Sequence, residues 1–97
     1  MEEQEKYNNT ATNLEQLAEE ANEIGRIKSK CMRFGLDDFH PKNLAVNRKA
    51  LAHEIGHLLT VVDILIENET IDANDVFEGR RQKRESLKAW YKPLVVK

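Results

Sequence analysis

A chain of 97 residues has room for one domain and not for a second core. Apolar residues make up 40%, charged residues 33% and aromatic residues only 6%, a balance that suits packed helices more than sheets. The formal net charge of -2 argues against a general polyanion binder, with a basic cluster at Arg80, Arg81, Lys83, Arg84 and Lys88 as a local exception; the single Cys31 excludes an intrachain disulfide, and no stretch reaches the ~18 consecutive apolar residues of a membrane span.

In chain order, residues 1–11 read as an acidic, polar tail without the apolar core of a signal peptide, and residues 12–97 as a single helical domain. The expectation is a cytoplasmic protein, since a lone cysteine fits a reducing compartment. Thr12-Asn13-Leu14-Glu15 has the spacing of a capping box, with a hydroxyl followed three residues later by a carboxylate. A first helix should follow, with Leu14, Leu17, Ala21, Ile24, Ile27 and Cys31 as its apolar stripe and an end near Phe34-Gly35.

The segment from Leu36 to Asn43, containing Pro41, reads as a loop. A second helix should begin between Asn43 and Asn47 and run to about Asn68, because Leu51, Ile55, Leu58, Leu59, Val62, Leu65 and Ile66 keep helical spacing. Asp72 then caps a third helix through Trp90, ended by Pro93, with Val76, Phe77, Leu87 and Trp90 as its sparse apolar content. The expected fold is all-α: a hairpin of two long helices with a third, C-terminal helix packed on it.

Carboxylates interrupt the apolar faces of this scheme. At 100° per residue Glu20 falls roughly 20° from both Ile27 and Cys31, and Glu23 lies at the edge of the same arc, roughly 40° beyond Ile27. Glu54 projects between Val61 and Leu65, and His57 stands just outside that arc. Carboxylates facing one another across a helix interface repel and lose hydration unless protonated, paired with bases or neutralised by a cation. A hard divalent ion such as Mg²⁺ satisfies them most simply, and salt bridges to Arg26, Lys28 or Lys30 are the plainer alternative.

Glu19-Glu20-x-x-Glu23, followed by Glu54-x-x-His57, resembles the EExxE…ExxD signature of the MazG-like all-α nucleoside triphosphate pyrophosphohydrolases, and the likeness to small phage and bacterial members extends over residues 13–91. That resemblance implies a dimeric or tetrameric helix bundle that holds Mg²⁺, or Mn²⁺, and cleaves an NTP or dNTP to monophosphate and pyrophosphate. It implies Glu20, Glu23, Glu54 and His57 as metal ligands and Glu19 with Glu20 as catalytic carboxylates. Lys28, Lys30, Lys83 and Arg84 are the candidates for phosphate contacts. Neither direct DNA or RNA binding nor membrane association is implied.

One position departs from the pattern, because His57 stands where the family has aspartate. Imidazole is a poor Mg²⁺ ligand and suits Zn²⁺, Mn²⁺, Fe²⁺ or Ni²⁺ better. The departure allows a changed metal preference, weaker catalysis, or a site that binds nucleotide without hydrolysing it.

The same letters admit a different chemistry. His53-Glu54-Ile55-Gly56-His57 is HExxH, in which two histidines one turn apart bind Zn²⁺ and the glutamate activates water. Asp63 sits where some such peptidases supply a third ligand, and Thr60 replaces their usual glycine. A peptidase of this kind lays its substrate along a sheet edge, and the chain offers no convincing strand. The reading also leaves Glu20 and Glu23 without a role.

Overall fold

The structure is a computed structural model that describes residues 9–38 and 46–90. It consists of three helices, α1 (Thr10–Phe34), α2 (Asn47–Glu67) and α3 (Ala73–Leu87), with no strand among the described residues. The all-α expectation therefore holds. No described helix is long and apolar enough to cross a membrane.

Helix α1 starts earlier than the capping-box spacing suggests. Asn9, in extended conformation, is the cap: its side-chain oxygen accepts the Thr12 N–H at 3.0 Å, which draws Thr10 and Ala11 into the first turn. At the other end Gly35 takes φ 98°, and its N–H donates to the Cys31 carbonyl, as expected of a glycine that closes a helix.

Beyond Gly35 the chain folds back on the start of α2. The Asn47 and Arg48 N–H groups donate to the Asp38 and Leu36 carbonyls, and Asn47 Nδ2 donates to the Gly35 carbonyl at 2.9 Å. Arg48 clasps Asp37 through two hydrogen bonds of 2.9 and 3.1 Å. Backbone carbonyls of the preceding turn thus satisfy the first donors of α2, whose cap residue Val46 has no side chain able to do so. The rest of the expected loop, residues 39–45 including Pro41, lies outside the described residues, as do Pro93 and residues 1–8 of the expected tail.

Helices α1 and α2 form an antiparallel hairpin and carry the tertiary packing. On α2 the buried positions are Asn47, Glu54, Val61 and Leu65, a seam of seven- and four-residue steps. Opposite it α1 presents Asn13, Leu17, Glu20, Ile24 and Ile27 at full or partial burial. Only Val61 and Leu65 are fully buried apolar residues among those described, whereas Asn13, Asn47 and Glu54 are buried polar ones. The α1 seam is rotated from the apolar stripe drawn on the sequence, since Leu14 is 46% exposed while Asn13 is 1% exposed.

The third helix corrects an expectation. Asp72 caps α3 as anticipated, accepting the Asn74 and Asp75 N–H groups. Yet α3 makes no extensive contact with α1 or α2, and its helical hydrogen bonding ends at Leu87, giving way to turns through Trp90. Its apolar residues are too sparse to form a stripe: Phe77 is 69% and Trp90 87% exposed, and Leu87 is exposed as well. A helix without an apolar face has little to gain by lying on the hairpin.

Candidate metal centre

Glu20 comes from the middle of α1, and Glu54 and His57 from adjacent turns of α2. Helical geometry puts Glu54 and His57 on neighbouring faces of one helix, and the antiparallel packing sets Glu20 opposite them. One ligand atom from each of these three residues lies within 4.8 Å of the others, the geometry of a site able to hold an ion.

His57 Nδ1 lies 3.1 Å from Glu54 Oε2 and 3.5 Å from Glu20 Oε2. The histidine ring is otherwise open to solvent, whereas Glu54 is a buried carboxylate whose second oxygen, Oε1, has no hydrogen-bond partner among the described residues. A buried carboxylate oxygen with no donor loses its hydration without compensation. Partial burial pushes the Glu20 carboxyl above the ordinary carboxylate range, followed by the shared hydrogen bond and charge repulsion with Glu54; His57 opposes the shift and Glu19 adds to it. Two acids at close quarters, one of them buried and short of a donor, form an electron-rich pair that a cation would relieve. The residues present therefore fit a divalent ion.

The other expected site residues lie elsewhere. Glu23 pairs with Arg26 at 3.2 Å, one turn from Glu20 and outside the three-residue group. Glu19 is exposed and accepts a long 3.4 Å hydrogen bond from Gln16. Lys28 and Lys30 are exposed further along α1, and Lys83 and Arg84 are exposed on α3. None of the four lines the cavity beside the centre.

That cavity has a volume of about 230 Å³ and is lined by Gln16, Glu20, His57, Thr60, Val61 and Ile64. Sequence reasoning gave Gln16 no role and weighed Thr60 only within the peptidase pattern. Both were within reach: Gln16 precedes Glu20 by one turn and Thr60 follows His57 by three residues, so each shares its neighbour's face. The Thr60 hydroxyl donates to the Gly56 carbonyl at 3.0 Å.

His53 and Asp63 are exposed and take no part in the three-residue group. The residue of the HExxH string that turns into the helix interface is Glu54, and its partner across the interface is a carboxylate of α1. No protein-family model matches the chain, and comparisons with curated proteins and with solved structures return no match.

Proposed function

We propose that this protein is a metal-dependent nucleoside triphosphate pyrophosphohydrolase that converts an NTP or dNTP and water to the monophosphate and pyrophosphate. The observation that carries this reading is the meeting of Glu20 and Glu54 across the α1–α2 interface, with Glu54 Oε1 buried and lacking a donor. These are two of the acidic positions through which the chain resembles the MazG-like enzymes, and the helical hairpin is compatible with that likeness.

Glu20, Glu54 and His57 would hold the ion, with Glu23 able to join them if it releases Arg26. A bound divalent ion supplies positive charge that neutralises phosphate oxygens and acidifies water. The buried Val61 and half-buried Ile64 keep part of the cavity wall apolar, which strengthens every charge interaction within it. Gln16 and Thr60 offer neutral polar groups along the same wall. The exposed Glu19 carboxylate, on the residue next to Glu20, is available to take a proton from water entering the site.

Nucleotide-sized ligands fill pockets of roughly 300–1,000 Å³, more than this cavity provides. A second copy of the chain would supply the remaining wall, and the sparsely packed α3 of that copy would bring Lys83 and Arg84 as phosphate contacts. The protein acts as at least a dimer on this reading. Incubation with each NTP and dNTP in Mg²⁺ or Mn²⁺, resolving mono- and diphosphates, pyrophosphate and phosphate, tests the reaction. Monophosphate with equimolar pyrophosphate, lost in Glu20→Gln, is the expected result. Retained nucleotide without turnover would instead favour a binding protein on the same scaffold, the reading that His57 motivates.

A further inference from the structure

The donor set at this centre differs from a pure carboxylate cage in one respect that bears on which ion it accepts. Of the three groups that converge, one is an imidazole, and its Nδ1 faces both carboxylates at once, at 3.1 and 3.5 Å. Donors held about 2.1 Å from a common ion stand roughly 3.0 Å apart at octahedral angles and roughly 3.4 Å apart at tetrahedral ones. The two His57 separations are compatible with these values, the shorter being also the length of the hydrogen bond between Nδ1 and Glu54 Oε2. His57 is therefore within reach of an ion shared with both carboxylates.

From this geometry we propose that the centre takes a first-row transition ion, of the Mn²⁺, Fe²⁺, Co²⁺ or Zn²⁺ kind, in preference to Mg²⁺. The proposal rests on the reading of Glu20, Glu54 and His57 as a metal site, and besides their proximity it draws on the buried, donorless Oε1 of Glu54. Three arguments support it. A neutral nitrogen donor adds stability along the series from Mn²⁺ to Cu²⁺ that Mg²⁺ does not share. Mg²⁺ also surrenders its water reluctantly and favours all-oxygen octahedra, whereas one face of this site is an apolar wall of Val61 and Ile64. Finally, two carboxylates and one imidazole provide three protein donors and leave positions open to a phosphate, as catalytic sites for transition ions do.

Binding to nitrogen uses the Nδ1 lone pair, so the neutral ring keeps its proton on Nε2, and the exposed ring edge leaves that N–H open to solvent or to a phosphate oxygen. His53, one turn earlier and exposed, contributes nothing to this arrangement.

The test uses the full-length protein, stripped with a chelator and titrated calorimetrically with Mg²⁺, Mn²⁺, Co²⁺ and Zn²⁺ in the absence of nucleotide. Co²⁺ and Zn²⁺ should bind at one site per chain at least about 100-fold more tightly than Mg²⁺, with Mn²⁺ between them. His57→Asp should narrow the Co²⁺ to Mg²⁺ ratio by at least about tenfold, and His53→Ala should leave it unchanged. Far-UV circular dichroism checks that each variant folds. If His57→Asp does not fold, the imidazole ¹⁵N resonances of the unmodified protein decide the matter: Zn²⁺ must move the Nδ1 signal of His57 and leave those of His53 in place. Mg²⁺ binding as tight as Co²⁺, Co²⁺ binding that depends on His53, or an unmoved His57 signal would each overturn the proposal. Tight Co²⁺ binding without release of pyrophosphate from any nucleotide would sink the pyrophosphohydrolase reading alone.

Discussion

Glu20 is half-buried beside Glu54, and its ionised form is held at a disadvantage first by lost hydration and then by that neighbour. A carboxyl whose folded pKa lies above its unfolded one contributes stability that is complete below the unfolded value and is lost as pH rises through the folded value. In the metal-free protein, Glu20→Gln should therefore leave thermal stability unchanged below about pH 4 and raise it by a few degrees at pH 7, on a scale where 1 kcal/mol moves Tm by about 4–8 °C. A melting curve series across pH, with chelator present, measures this; a variant less stable than the parent at pH 7 would contradict it. The same substitution removes a ligand, so stability and ion binding should move in opposite directions, as they do where a site is kept at the expense of the fold. Asp37 has the reverse sign: its hydrogen bonds with Arg48 hold it below the usual carboxylate range, so what it contributes is present above the unfolded pKa and lost as pH falls through the folded one.

The connection from α2 to α3 contains a residue in a conformation its side chain disfavours. Glu69 adopts φ 59°, and the following Thr70 and Ile71 N–H groups both donate to the Leu65 carbonyl, which closes α2. Left-handed backbone at a residue with a Cβ costs roughly 1 kcal/mol, so Glu69→Gly should raise Tm by a few degrees in thermal denaturation. Helix α3 depends on local interactions for its persistence. With 15 residues and little packing it is at the length where isolated helices are marginal, held by the Asp72 cap and by ion pairs such as Glu78–Arg81 at 2.6 Å. Asp72→Ala, which removes a cap of about 1 kcal/mol, should speed amide exchange throughout residues 74–87 and leave α1 and α2 protected. Uniform loss of protection across all three helices would show instead that α3 is integral to the hairpin.

At the scale of the whole molecule, two apolar side chains among the described residues are fully buried, while Leu14, Met32, Phe34, Ile55 and Leu59 on the hairpin and Phe77 and Trp90 beyond it are exposed. A domain with so small a core gains from burying such side chains against another copy. Sedimentation at falling concentration should show a dimer or larger species that loses helicity as it dissociates; a stable, fully helical monomer would leave this surface without that explanation. Much of the arrangement was legible beforehand. The helical spacing, Gly35 and Asp72 marked three helices to within a few residues, because backbone conformation answers to neighbours close in sequence. Glu20 and Glu54 stood out for the same reason, as acids on faces whose period called for apolar residues. The sequence could not show that His57, outside the apolar arc, turns its Nδ1 back to both carboxylates, or that Glu23 turns to Arg26. It also could not show that the α1 seam runs through Asn13 and not Leu14, or that α3 makes no extensive contact with the hairpin. Those outcomes depend on which side chains meet across two helices, a long-range balance of packing, charge and desolvation that periodicity along one helix does not contain.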